Sequence, residues 1–160
     1  MHRLKIEVYL KFIFLVCLIA ISSAYFIEYI LGHQPCNLCL IERIPYGLGL
    51  ILLISNFIQR RNQKFIIILL TLVFVFSLII SIYHFGIEQA FFEESAVCGL
   101  KDTSILISKE EILKQLQEKN VSCKDVTFKI FGLSLTSYNI LISLLICIST
   151  GKIYFDYGKN

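Results

Sequence analysis

Apolar residues in this chain gather into four long runs separated by polar segments. Two of them, about 12–30 and 65–83, are each near the roughly 20 residues that a helix needs to cross a 30 Å hydrocarbon core. The run over about 135–155 is interrupted by Ser143, Ser149 and Thr150, whose hydroxyls can bond back to the helix backbone or across to a neighbouring helix. The remaining run is short. Ile44 to Ile58 is about 15 residues, or roughly 22 Å of helix, and does not cross unaided. A helix begun near Leu38 reaches about 31 Å and carries Glu42 and Arg43 inside its outer turns. The pattern therefore predicts an all-α membrane protein, a four-transmembrane-helix bundle of one integral domain. Its spans lie at about 12–30, 38–58, 65–83 and 135–155, and its two outer loops at about 31–37 and 84–134. The long loop has a capping box, Ser108-Lys109-Glu110-Glu111, ahead of Ile112, Leu113 and Leu116. It predicts a short helix to about Lys119, resting on the loop's own core or on the bilayer surface.

Composition sharpens this picture. The 160 residues are 56% hydrophobic and 17% charged, against roughly 45–50% and 25% in ordinary globular chains. A net charge of +3 is no nucleic-acid signature, and two prolines with eight glycines exclude a low-complexity chain. Placement of charge says more than its sum. Arg3, Lys5 and Lys11 precede the first run, Arg60, Arg61 and Lys64 lie between the second and third, and Lys152 and Lys159 follow the fourth. The first outer connection has only Arg43, and the six lysines of the long one are offset by eight acids. Short basic segments stay in the cytoplasm, so both termini are expected there and both cysteine-bearing connections outside. Ser22-Ser23-Ala24 offers small residues where a signal peptide would be cut, but the run continues apolar through Ile30, and we expect a retained span.

Six cysteines give the chain its candidate chemistry. Cys17 and Cys147 fall within spans and read as small packing residues. Cys36, Cys39, Cys98 and Cys123 all fall in or beside the outer connections, in a compartment where disulfides persist. Cys36-Asn37-Leu38-Cys39 is a C-x-x-C at the start of the second helix, where the partial positive charge of a helix N-terminus favours a thiolate. Arg43 is four residues beyond Cys39, on the same helical face. A charge at that depth needs a partner and marks a functional site by default. Glu42 is adjacent but faces elsewhere on a helix, so a polar head group or the Cys39 thiolate suits Arg43 better. Three readings of the four cysteines stay open: disulfides that staple the loops, a zinc site, and a thiol relay built from two redox couples. Against zinc, Cys98 and Cys123 lack the close spacing usual in such sites.

Pro35-Cys36-Asn37-Leu38-Cys39-Leu40-Ile41-Glu42-Arg43 resembles the P-C-x-L-C-x-x-E-R signature of the bacterial disulfide bond formation protein B (DsbB) family. Tyr83-His84-Phe85-Gly86-Ile87-Glu88 is similar to the family's Y-H-x-G-x-E segment, and Cys98 and Cys123 match its second cysteine pair. The likeness covers nearly the whole chain. It implies a thiol:quinone oxidoreductase of the bacterial inner membrane that reoxidises a periplasmic DsbA-like thiol oxidase and passes electrons to ubiquinone or menaquinone. By the same resemblance Cys98 meets the partner with Cys123 as its mate, Cys123 exchanges with Cys36, and Cys39 is freed beside the quinone with Arg43 nearby. His84 is implied as a further quinone-site residue, with a capping or interfacial role as its plainer reading, and Glu88 as structural; no metal is implied. Closing the loop between Cys98 and Cys123 costs the open chain about 3–4 kcal/mol of entropy, so a partner that opens it frees Cys123 to travel. The other class of function left standing is a cysteine-stapled or zinc-binding membrane adaptor without redox turnover.

Overall fold

A computed structural model describes residues 2–59, 63–93, 98, 122–124 and 128–158. The short helix expected near 108–119 lies outside the described residues, as do Arg60, Arg61 and Lys159. Helix α1 covers His2–Tyr29, α2 Asn37–Ile41, α3 Ile44–Ile58, α4 Gln63–Glu88 and α5 Leu135–Gly158. Two-residue strands β1 (Lys129–Ile130) and β2 (Leu133–Ser134) precede α5. Four segments among the described residues are long and apolar enough to cross a membrane: Ile6–Tyr29, Asn37–Ile58, Gln63–Glu88 and Leu135–Phe155. The chain is a multi-pass helical membrane protein.

The bundle is apolar on its outer surface as well as in its interior, as lipid requires. Phe12, Ile19, Ile51, Leu72, Phe76, Ile79, Leu145 and Ile148 point outward, where hydrocarbon rather than water receives them. The interior holds Leu10, Ile13 and Cys17 of α1, Tyr46 and Leu53 of α3, Leu70 and Phe74 of α4, and Ile146 of α5. Helix association in lipid depends on close fit and interhelical hydrogen bonds, and α4 and α5 supply both. Ser77 and Ser143 share a hydrogen bond of 3.0 Å, and Asn139 Nδ2 donates to Ser81 Oγ at 2.7 Å. The Tyr46 hydroxyl of α3 joins this ladder by donating to Asn139 Oδ1. Ser149 and Thr150 return their hydroxyls to the backbone of Leu145 and Ile146.

The second span differs from the expected continuous helix. It is two helices, α2 and α3, with a break at Glu42–Arg43. Pro45 explains it: proline has no N–H to bond Ile41 and its ring crowds that carbonyl, yet it is favourable in the first turn of a new helix. Arg43 N–H accordingly bonds back three residues to Leu40, and regular bonding resumes when Gly47 N–H reaches Arg43.

The third span runs beyond its expected end. Helix continues through His84 to Glu88 and stops in a Schellman turn, in which Phe91 N–H bonds the Gly86 carbonyl at 2.8 Å and Ala90 N–H bonds Ile87 at 3.0 Å. Ala90 takes the left-handed conformation there (φ 59°). Gly86 is required, because a Cβ at that position would overlap the Phe92 ring that folds back over it. The hairpin was not foreseen. Its turn, Phe131-Gly132, has positive φ at both residues (50° and 82°), the form that matches strand twist. Ser134 then starts α5, its Oγ accepting from Ser137 N–H at 3.3 Å.

Candidate functional site

The connection between α1 and α2 and the one between α4 and α5 emerge at the same end of the bundle. Cys36 and Cys39 are joined as a disulfide there (Cα–Cα 5.1 Å), and so are Cys98 and Cys123 (5.5 Å). Cys36, Cys98 and Cys123 are buried in one apolar cluster with Leu38 and Ile87, and Cys39, Ile41 and Tyr83 pack against it. Residues separated by more than sixty positions of sequence are thus brought to one place. Thiol–disulfide exchange needs that proximity.

The two cysteines of the C-x-x-C have different neighbours. Cys36 caps α2, and its Sγ accepts from Cys39 N–H at 3.2 Å. It is buried beside His84, whose Nε2 lies 3.5 Å from the sulfur. Cys39 instead lines a partly open cavity of about 190 Å³ between α1, α3 and α5. Its walls include Ile21, Ala24 and Ile27 of α1, Ile142 and Asn139 of α5, Tyr46 of α3, and Arg43 and Glu42 at the break. The chain therefore positions a sulfur on a mostly apolar chamber with several hydrogen-bonding groups on its walls, a common form for a small-molecule site.

Arg43 lies on that wall together with Cys39. It pairs with Glu28 of α1 and sits over the Tyr25 ring, 5.2 Å from its centre. Both side chains of the pair are about one-fifth exposed, so screening weakens it without abolishing it. Arg43 also borders a second groove, of about 370 Å³, formed with Tyr25, Glu28, Leu40 and Ile44. Glu28 was missed as a site residue; an acid inside an apolar run was the signal available.

His84 does not line the cavity. It is 1% exposed and stands behind Cys36, with Nδ1 3.0 Å from Glu42 Oε1 and 3.3 Å from Thr136 Oγ1. Glu88 is on the same helix, its Oε1 4.0 Å from His84 Nε2 and accepting from the Thr136 hydroxyl at 2.6 Å. Glu42 and Thr136, which carried no expected role, connect this buried group to the cavity wall.

Fold and site together define a helical membrane protein whose two disulfides are gathered at one end. The family model for disulfide bond formation protein DsbB matches residues 7–152. An uncharacterized protein of Rickettsia prowazekii (strain Madrid E) is 33% identical over 147 residues, covering 91% of this chain and 85% of its own. Disulfide bond formation protein B of Nitrosomonas eutropha is 28% identical over 148 residues (89% and 90% covered), and that of Nitrosomonas europaea 25% over 146 residues (88% of each). No solved structure matches the chain significantly. The chain belongs to the disulfide bond formation protein B family, which places it in disulfide bond formation.

Proposed function

We propose that the protein is a thiol:quinone oxidoreductase of the bacterial inner membrane, which reoxidises a periplasmic DsbA-like dithiol oxidase. The observation that carries this reading is the asymmetry of the C-x-x-C: Cys36 is buried with the Cys98–Cys123 disulfide, while Cys39 lines the cavity.

A partner thiolate attacks Cys98, forming a mixed disulfide and releasing Cys123 as a thiolate. The partner's second thiolate then resolves the mixed disulfide and leaves oxidised, freeing Cys98. Cys123 attacks Cys36, breaking the Cys36–Cys39 bond and leaving the Cys39 thiolate at the cavity. Cys98 attacks Cys123, restoring the loop disulfide and releasing Cys36, so the electron pair now resides on the C-x-x-C. A quinone held in the cavity would supply the acceptor for this electron pair and two protons, so that the Cys36–Cys39 bond forms again. The residues fit such an acceptor: Ile21, Ile27 and Ile142 suit a flat ring, and Arg43, the Tyr46 hydroxyl and Asn139 suit its oxygens. At about 190 Å³ the chamber is below the roughly 300–1,000 Å³ of pockets that enclose a whole ligand, which suits a ring whose tail remains in lipid.

Non-reducing gels with the partner present test the order. Cys123→Ser leaves Cys98 as a free thiol, which attacks the disulfide of the oxidised partner and releases that partner's second thiol; with no Cys123 to displace the partner, a covalent complex between Cys98 and the partner accumulates. Cys39→Ser blocks delivery to quinone. Capture of the partner through Cys36 while Cys98 is intact reverses the assigned order. One observation favours a second reading: the donor atoms of Cys36, Cys39 and His84 lie within 4.8 Å of one another. If Cys123→Ser captures no thiol protein and Cys39→Ser removes bound zinc from the purified protein, the metal-binding adaptor is the correct reading.

A further inference from the structure

The buried group behind Cys36 is arranged for a positive charge. Glu42 reaches His84 from the end of α2, Glu88 from its own helix and Thr136 from α5, while Cys36 is at Nε2. The cation nearest by sequence, Arg43, is turned to Glu28 of α1. The tautomer follows from the hydrogen bonds. The Thr136 proton is committed to Glu88, so at Nδ1 both neighbours, Glu42 Oε1 and Thr136 Oγ1, are acceptors. Nδ1 therefore carries the ring proton, and Nε2 presents its lone pair to Cys36 Sγ at 3.5 Å. Meanwhile Glu88 Oε2 is buried without a hydrogen-bond partner, a costly state for a carboxylate unless a positive charge arises beside it.

These contacts form the sequence nucleophile, base and orienting acid that activates cysteine elsewhere. They also lead somewhere: Glu42 and Thr136 both line the cavity that Cys39 faces, although His84 does not. We propose that His84 is a catalytic base and proton relay for Cys36, taking the thiol proton at Nε2 and yielding its Nδ1 proton to Glu42 on the cavity wall. The inference rests on the thiol:quinone reading and adds to it a path for protons beside the path for electrons. When Cys36 is released by Cys98, its sulfur keeps the bonding pair and takes up one of the two protons given up by the partner's dithiol as it is oxidised. Before Cys36–Cys39 can form again that proton must leave, with the electron pair remaining on sulfur as thiolate. Nε2 accepts it, and Glu42 and Glu88 balance the imidazolium. Transfer of the Nδ1 proton to Glu42 then restores neutral imidazole, as its other tautomer, and delivers the proton to the chamber where the acceptor needs one. Glu42 and Glu88 are positioning residues for the ring, and Glu42 is also the exit for the proton.

The test needs neither partner nor quinone. The full-length protein is reduced in detergent, pulsed with iodoacetamide across a range of pH, and analysed by peptide mass spectrometry, so that Cys36 and Cys98 are read in the same molecules. In His84→Gln, alkylation of Cys36 at pH 7 should fall about tenfold and its pH profile move up by about one unit, while that of Cys98 stays in place. Glu42→Gln preserves shape and should move the Cys36 profile in the same direction by less. A Cys36 profile unchanged in His84→Gln overturns the proposal, and so does an equal displacement of Cys98, which marks a disturbed fold. An effect of His84→Gln with none from Glu42→Gln overturns the relay to the cavity. In each of these cases capture of the partner by Cys123→Ser still reports separately on the thiol relay.

Discussion

Arg43 shows how a single side chain is held where the membrane opposes it. An intramembrane guanidinium is stable only in company, and Glu28 with the Tyr25 ring supplies that company on the α1 side. Its place on the cavity wall would leave it within reach of an oxygen of the proposed quinone while Glu28 retains part of the charge. Arg43→Ala is therefore expected to raise the KM for quinone by about tenfold or more, with both disulfides still formed and with Glu28 left unpaired. Arg43→Lys should do a third of that damage on a logarithmic scale, roughly twofold, since a point charge replaces a planar donor fork. Steady-state quinone reduction with the same partner at saturating concentration measures both. An unaltered KM in the alanine variant would reduce Arg43 to a structural mate of Glu28. The need for a partner was legible from the sequence, but its identity was not. Glu28 is on another helix, and nothing in the spacing of the two residues records how α1 packs against α3.

The helices were legible where hydropathy alone decides them and less so at their ends. The apolar run over 135–155 and the span Leu135–Phe155 coincide because lipid solubility sets both. α4 extends past Tyr83 because His84 and Glu88 are not solvated there: they bury each other's polar atoms against Glu42 and Thr136. Polarity in sequence thus read as loop what tertiary pairing makes helix, and the Cys36–His84 contact depends on that extra turn. The break after α2 had a visible cause in Pro45, whereas two-residue strands have no period to detect. The end of α4 offers a direct check on this element. Its Schellman turn places an alanine, Ala90, at a left-handed position that glycine occupies without steric penalty. Ala90→Gly should raise stability by about 1 kcal/mol, seen as a higher midpoint of thermal unfolding in detergent. A lower midpoint would show that the turn is not held as described and that the alanine methyl packs favourably instead.

At the scale of the molecule, four crossings force both disulfide-bearing connections to one side, and the whole function depends on which side that is. The reducing cytoplasm would keep all four thiols open and leave no disulfide for a partner to attack. Lysine and arginine are concentrated at the other end: Arg3, Lys5 and Lys11 in the first turns of α1, Arg60, Arg61 and Lys64 around the α3–α4 connection, and Lys152 and Lys159 towards the end of the chain. The cost of moving such segments across the membrane is expected to hold them inside. An alkaline phosphatase fused after Lys124 should therefore be active, and one fused in the 59–63 connection inactive, because that enzyme matures only in the oxidising compartment. The reverse pattern would sink the proposed relay altogether, proton path included. A weaker version of the same experiment tests its cause. Replacing Arg60, Arg61 and Lys64 by neutral residues removes the charge expected to hold the middle connection inside, while the basic residues at the start of α1 and towards the end of the chain remain. Since each end of the chain still anchors its own helix, we expect reporter activity after Lys124 to fall only partly, with the loss appearing as a mixed population rather than an inverted one. The cysteine end is then oxidised in the correctly inserted fraction alone, and the share of protein with both disulfides should follow reporter activity in proportion.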